Sequence, residues 1–299
     1  MNIVVVLNKP AGITSHDAVQ AVKKAFKVRK AGHAGTLDPI ATGVLLVCLN
    51  EATKITGYLS DMDKGYLMTI KLGESTDTYD SEGAVTASVK DYSVTQEQIE
   101  EVLKSFKGEI DQIPPMYSAI KLSGKPLYKL ARQGIEVERK PRRVRIDKLE
   151  LISYNDPFVT LAIECSKGTY VRSLCNDIGT ALATGAHVTG LVRTRIGGIR
   201  IEDSALINEL PQKTNALHTI DNALAGFMDV LLDGDNFRKA KNGNPVNIIN
   251  LLNDYRRPLM ELITPEEKNI YVRLKDLKGS LFGIGKVVKD SIKIERLFN

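Results

Sequence analysis

The 299-residue chain has no tryptophan, three cysteines and four histidines. The cysteines, Cys48, Cys165 and Cys175, are odd in number and lack metal-ligand spacing. They argue against a disulfide framework and for a reducing compartment. With so few histidines, no constellation spaced for zinc or another transition metal emerges. Long hydrophobic runs are missing as well. The opening stretch Met1 to Leu7 is apolar but far too short for a bilayer, and it lacks the basic leader and cleavage site of a signal peptide. The expectation is a cytoplasmic protein without a membrane segment. Gly283-Ile284-Gly285-Lys286 lacks the earlier glycine and the following Ser or Thr of a phosphate loop, and it reads as a turn. No Gly-x-Ser-x-Gly nucleophile elbow occurs. His16 and Asp17 are adjacent, so on a helix they point apart and suit a cap region better than a metal.

The length favours two domains with a substantial core. Hydrophobic residues make up 43% of the chain and charged residues 26%, ordinary for a globular protein. The net charge of +5 permits a polyanionic partner without requiring one. Placement says more. Lys23, Lys24, Lys27, Arg29 and Lys30 form a basic run free of acids, and Arg139, Lys140, Arg142, Arg143 and Arg145 form a second. Clustered cations neutralise phosphates and release counterions. A solvated helix face or sheet edge would have the same composition.

Residues 2–7 read as a buried strand closed by the turn Asn8-Lys9-Pro10-Ala11-Gly12. Ser15 is placed to N-cap a helix to about Lys27, with Ala18, Val19, Val22 and Phe26 at helical spacing. The stretch 31–43, rich in Gly, reads as a loop before an apolar strand from Val44 to Leu49. Further expectations are a short helix at 51–59, a strand at 65–72, a polar turn at 77–83 and a helix at 95–106. Paired strands follow at 142–154 and 158–165, then a helix from Thr169 to Leu182 and a strand at 187–196. Helices and strands mix without strict alternation, which predicts an α+β fold with a largely antiparallel mixed sheet. Residues after about 228 read as a small β-rich accessory domain, giving domains at 1–228 and 229–299.

Asp38 lies before Pro39 in the Gly-rich stretch. Aspartate in a loop commonly caps or turns, yet the small residues around this one allow close approach by a large ligand. The stretch Ala31-Gly32-His33-Ala34-Gly35-Thr36-Leu37-Asp38-Pro39-Ile40-Ala41-Thr42-Gly43 closely resembles the catalytic loop of the TruB family, the bacterial tRNA pseudouridine-55 synthases. Lys9 to Ser15, Lys64-Gly65-Tyr66, Leu72-Gly73 and Thr76-Asp77-Thr78 resemble further family motifs. So do Pro114 to Ala119, Ala131 to Gly134, Cys165 to Arg172, and Gly185 to Val188 with Leu191. These blocks keep the family order from about residue 5 to 200. Ala34 and Ile40 depart mildly from the family's commoner choices. The tail resembles an RNA-binding PUA domain only loosely.

The resemblance implies a pseudouridine synthase fold, a folded tRNA partner engaged at its T-arm stem-loop, a monomer, and no cofactor or metal. The implied reaction exchanges no electron, phosphate or net water. By resemblance Asp38 is the catalytic carboxylate, which can act as nucleophile or base. Arg172 is its guanidinium partner, expected to hold the carboxyl below its ordinary range. Tyr66 is the active-site tyrosine, able to stack on uracil or help remove the C5 proton. Tyr170 and Leu191 match pocket positions, and His33 matches the residue that fills the space left by an extruded base. Lys9 would contact phosphate or support the loop. Lys23, Lys24, Lys27, Arg142 and Arg143 would hold the RNA backbone. A non-catalytic RNA-binding protein is the alternative reading. A glycosylase releasing free uracil is another.

Overall fold

The computed structural model describes residues 1–122, 124–262 and 270–298. Ten strands share one sheet. In chain order they are β1 (Ile3–Lys9), β2 (Ala31–Ala34), β3 (Thr42–Leu49), β4 (Lys64–Leu72), β5 (Gly108–Gln112), β6 (Arg142–Asn155), β7 (Phe158–Cys165), β8 (Ala186–Ile196), β9 (Ile199–Arg200) and β10 (Leu217–Thr219). The order across the sheet is β10-β1-β3-β8-β4-β7-β6-β5, with β2 added to β3 and β9 to β8. Every pair is antiparallel except β3 with β8. The expected α+β mixture with a largely antiparallel sheet is what forms.

The apolar runs of β1 and β3 follow from burial on both faces of the sheet, which removes the need for alternation. Val5, Leu7, Leu45, Val47 and Leu49 enter one core. Val4, Val6, Val44, Leu46 and Cys48 enter the other. On the first face pack helices α1 (Ser15–Phe26), α2 (Gln96–Ser105) and α3 (Val171–Ala181), through Ala18, Val19, Val22, Ile99, Leu103, Leu174 and Ile178. The second face is covered by Ala52, Ile55 and Leu59, by Ile220 and Ala223 of the short helix α4 (Ile220–Ala223), and by Ile284 and Phe298 of the tail.

The tail forms its own sheet from β11 (Met228–Leu231), β12 (Val246–Asn247), β13 (Tyr271–Lys275), β14 (Leu281–Val288) and β15 (Ser291–Leu297), in the order β11-β13-β14-β15-β12. Val230, Leu232, Val272, Leu274, Phe282 and Ile292 give it a separate core. It is nonetheless fastened to the large sheet's second face. Arg273 pairs with Asp221 and Asp229, both at 2.7 Å. Lys275 reaches the same two acids at 2.9 and 3.1 Å. Tyr58 stands edge-on to Phe227 and Tyr271, with centroids 6.1 and 4.9 Å away.

Local chemistry corrects several expectations. Thr14, not Ser15, caps α1: its side chain accepts from the Asp17 amide while Asp17 accepts from the Thr14 amide. That reciprocal capping box gives Asp17 its cap-region role, and Ser15 turns inward. The stretch after Lys30 is not all loop, since Ala31–Ala34 pairs with β3. Gly283 and Gly285 lie inside β14 and not in a turn. A Cβ on Gly285 would stand 2.2 Å from Ile292 Cγ2, and one on Gly283 2.8 Å from the Arg296 carbonyl, so these glycines serve close strand packing.

Ile284 is fully buried in the cluster shared by the tail and the large sheet. Ile284→Ala should cost about 2–5 kcal/mol. Calorimetry is expected to show that loss as a lower melting transition of the whole chain. A drop confined to a separate tail transition, with the main transition unmoved, would show that the tail folds independently.

Candidate active site

Asp38 stands on the crossing from β2 to β3, and its loop is pinned from several directions. The buried Ser15 hydroxyl accepts from the Leu37 amide at 2.8 Å and donates to the Leu37 carbonyl at 2.9 Å. The Gly12 amide donates to the Pro39 carbonyl at 2.9 Å, and the Ala41 amide to the Asp38 carbonyl at 3.1 Å. With the backbone held on both sides, the carboxylate has little freedom beyond its own rotamer.

Arg172, in the first turn of α3, lies 2.8 Å from Asp38 through Nε. Its Nη1 lies 3.3 Å from Asp80 Oδ2 and donates to the Thr78 carbonyl at 2.9 Å. Its Nη2 donates to the Tyr117 carbonyl at 2.8 Å. Arg172 is 6% exposed and Asp80 3%, whereas the Asp38 side chain keeps 35% of its surface open. The guanidinium thus spends its fork on two acids and two carbonyls and leaves one carboxylate partly exposed. Asp80 is held in turn by the Thr78 hydroxyl at 2.6 Å and the Glu82 amide at 3.1 Å. The turn carrying it is stitched to β8 by Ser81 N to Val188 O at 2.9 Å and Val188 N to Tyr79 O at 3.0 Å.

Burial raises the Asp38 carboxyl above its ordinary range; Arg172 opposes this and the nearby Asp80 charge adds to it. The net direction is opposite to the lowering expected from the arginine alone. The reason is that the guanidinium is shared with a second acid while the loop withdraws Asp38 from bulk water.

Tyr66 on β4 is 9% exposed, and Leu191 on β8 is 4% exposed; both belong to the core beneath the site. Burial pushes the Tyr66 phenol up, with Arg193 opposing. Tyr170 caps the start of α3, and its backbone is clamped by the buried Gln112 side chain. That amide accepts from Tyr170 N at 2.8 Å and donates to Tyr170 O at 3.0 Å. His33 lies on β2 with Nδ1 buried and without a partner among the described residues, and burial lowers its imidazole.

Two residues expected at the RNA backbone are engaged within the protein. Lys9 is fully buried, and its Nζ donates to the carbonyls of Pro10, Ile13 and Pro39 at 2.8, 2.9 and 3.3 Å. Of its two candidate roles it takes loop support, and burial pushes its ammonium down to about 8. Arg143 is committed to Asp111 at 3.2 Å and Glu109 at 3.4 Å on β5. Lys24 and Lys27 are exposed and Lys23 half-buried at the end of α1, and none pairs with an acid among the described residues. Arg142 is exposed on β6.

Asp80 and Arg193 were not read from the sequence. Arg193 had a signal: on a strand it shares the inward face with Leu191, a position where a charge calls for a reason. Asp80 had none, because its turn is polar throughout.

Residues 23–171 match the family model described as "TruB family pseudouridylate synthase (N terminal domain)". Residues 172–232 match "tRNA pseudouridylate synthase B C-terminal domain". A tRNA pseudouridine synthase B of Dechloromonas aromatica is 45% identical over 250 residues, covering 82% of this chain and 83% of that one. The protein of the same description from Clostridium tetani is 40% identical over 299 residues, covering 99% of each. Among solved structures, a chain in a Cbf5-Nop10-Gar1 complex is similar with a TM-score of 0.77 and 25% identity, covering 99% of this chain and 85% of that one.

Lys9→Met should leave the Pro10 and Ile13 carbonyls without this donor, while the Pro39 carbonyl keeps the Gly12 amide; the change should cost about 1–3 kcal/mol and leave the salt dependence of RNA binding unchanged. Neutralising Lys23, Lys24 and Lys27 together should instead flatten the slope of log K against log salt by roughly 0.7–0.9 for each phosphate no longer neutralised. A flatter slope for Lys9→Met, or an unchanged one for the triple variant, would reverse these assignments.

Proposed function

The chain belongs to the TruB family of pseudouridylate synthases, and from that premise we infer that it isomerises uridine to pseudouridine in tRNA, at position 55 of the T-loop. The observation that carries the chemical reading is the Arg172 guanidinium set 2.8 Å from a carboxylate that stays one-third exposed.

The reaction breaks the bond from uracil N1 to ribose C1′, turns the base, joins C5 to C1′, releases the C5 proton and returns a proton to N1. Atoms and electrons balance within the substrate. An ionised carboxylate is the one strong nucleophile or base this requires, and we assign it to Asp38. Raised by burial and paired with Arg172, Asp38 is more basic than a free aspartate. Tyr66 serves by its ring: a phenol pushed up by burial stays protonated, which suits stacking on uracil better than removing the C5 proton. Leu191 and Tyr170 wall the pocket. Neutral His33 fits the space vacated in the RNA loop, where a charged ring would bring an added desolvation cost.

Lys23, Lys24, Lys27 and Arg142 are the proposed backbone contacts. The domains are read as 1–228 for catalysis and 229–299 as a PUA-like accessory RNA-binding unit. The tail's separate sheet and core support that division. A cytoplasmic monomer is the proposed state, in keeping with three cysteines that are all free and buried.

Unmodified tRNA incubated with the protein should yield pseudouridine on nucleoside analysis, and Asp38→Asn should abolish it while binding stays within a few fold. The amide keeps the shape but is neither nucleophile nor base at neutral pH. Activity of Asp38→Asn within tenfold of wild type would sink the assignment of Asp38. Free uracil would instead identify a glycosylase, and binding without conversion a non-catalytic RNA-binding protein.

A further inference from the structure

Arg193 lies on β8, two residues beyond Leu191, and is 1% exposed. Its Nε donates to the Val44 carbonyl at 2.7 Å, its Nη1 to the Thr36 carbonyl at 3.3 Å and its Nη2 to the Gly35 carbonyl at 3.0 Å. Gly35 and Thr36 precede Asp38 and Val44 follows it, so one planar fork holds the loop where it leaves β2 and where it enters β3. The backbone comes equally close: a Cβ on Gly43, whose φ is +95°, would stand 2.3 Å from the Arg193 carbonyl. In register Arg193 lies beside Gly43 on β3 and opposite Tyr66 on β4. The Tyr66 phenol opposes the downward push of burial on the Arg193 guanidinium.

Packing alone does not account for this residue. Burying a cation costs several kcal/mol after relaxation, and neutral carbonyls do not cancel its charge. An aliphatic side chain of similar volume would fill the space without that cost. What only an arginine supplies is several donors in fixed directions on a rigid plane. We propose that Arg193 is a positioning residue for pseudouridine formation, setting the Asp38 loop against Tyr66 by spanning both ends of the loop from the strand that also carries Leu191. The inference rests on the isomerase reading above. Arg193 takes no part in bond making. It acts through Asp38 and Tyr66, whose separation must match the reacting uridine.

The test uses the full chain with Arg193→Lys and Arg193→Gln and a T-arm stem-loop substrate. Turnover is expressed per folded molecule, with the folded fraction taken from melting curves. Displacing a reacting group by an ångström costs up to about 100-fold. The expected result is a fall in kcat of about 10–100-fold, with KM within about threefold of wild type, and Lys retaining more activity than Gln. In protein labelled with 3-fluorotyrosine, the Tyr66 resonance, assigned through Tyr66→Phe, should move in both variants. If Arg193→Gln does not fold, Arg193→Lys carries the test, since it keeps the charge and nearly the length. Turnover per folded molecule within threefold of wild type with an unmoved Tyr66 resonance would overturn the proposal. So would a loss confined to KM. Failure of the wild type itself to form pseudouridine would defeat the isomerase reading instead, and the fluorine signal would still report the hold of Arg193 on Tyr66.

Discussion

The guanidinium of Arg172 has two acids and two carbonyls around it and almost no water. Its position is therefore over-determined, and the position of Asp38 follows from it. Removing one partner of such a buried pair leaves an uncompensated charge, at about 3–5 kcal/mol. That figure suits the Arg172–Asp80 side, where both side chains are buried. The Asp38 side is one-third open and is worth less to stability. Asp80 thus anchors the arginine, and the arginine orients a carboxylate that stays available. Three separate elements meet here: the β2–β3 loop, the turn at 77–83 and the start of α3. The sheet brings them together because β3 and β4 both flank β8, and the turn is sewn to β8 by its backbone.

Cations bonded to carbonyls recur around this centre. Lys9 gathers three carbonyls under the loop. Lys64 donates to the carbonyls of Ser60 and Met62 at 2.5 and 2.6 Å, and burial pushes it down to about 8. Arg193 spans the loop's ends. A Gly-rich segment cannot hold its own shape through side-chain packing, and backbone carbonyls turned inward need donors. Long cationic side chains arriving from neighbouring strands meet that need. Of these cations Lys9 also draws the Asp38 carboxyl down, without cancelling the effect of burial.

Legibility in the sequence followed the physics of each element. The runs at 2–7 and 44–49 announced strands buried on both faces, and the helical spacing of Ala18, Val19 and Val22 announced α1. Asp38, Tyr66, Arg172, Tyr170 and Leu191 were legible only through motif resemblance, because a loop aspartate and a core tyrosine look alike in composition whether or not they act. Lys9 was ambiguous because a fully buried lysine is rare, and nothing local shows which carbonyls will surround it. The ion pairs of Arg143 were illegible, because strand register is what sets it across from Asp111 on β5. Gly283 and Gly285 read as a turn because crowding from Ile292 and Arg296 is a tertiary fact. The lowering expected for Asp38 counted one neighbour, and the fold supplied burial and Asp80 as well.

The most direct measurement is a carbon-13 titration of the Asp38 carboxyl, assigned through Asp38→Asn, in the wild type and in Arg172→Met. In the wild type the resonance is expected to titrate above the ordinary aspartate value of about 3.9, because burial and Asp80 outweigh the arginine. In Arg172→Met the midpoint is expected to climb further, since the main influence holding it down has gone. A midpoint at or below the ordinary value, or one unmoved by loss of Arg172, would contradict the account of how this site holds its carboxylate.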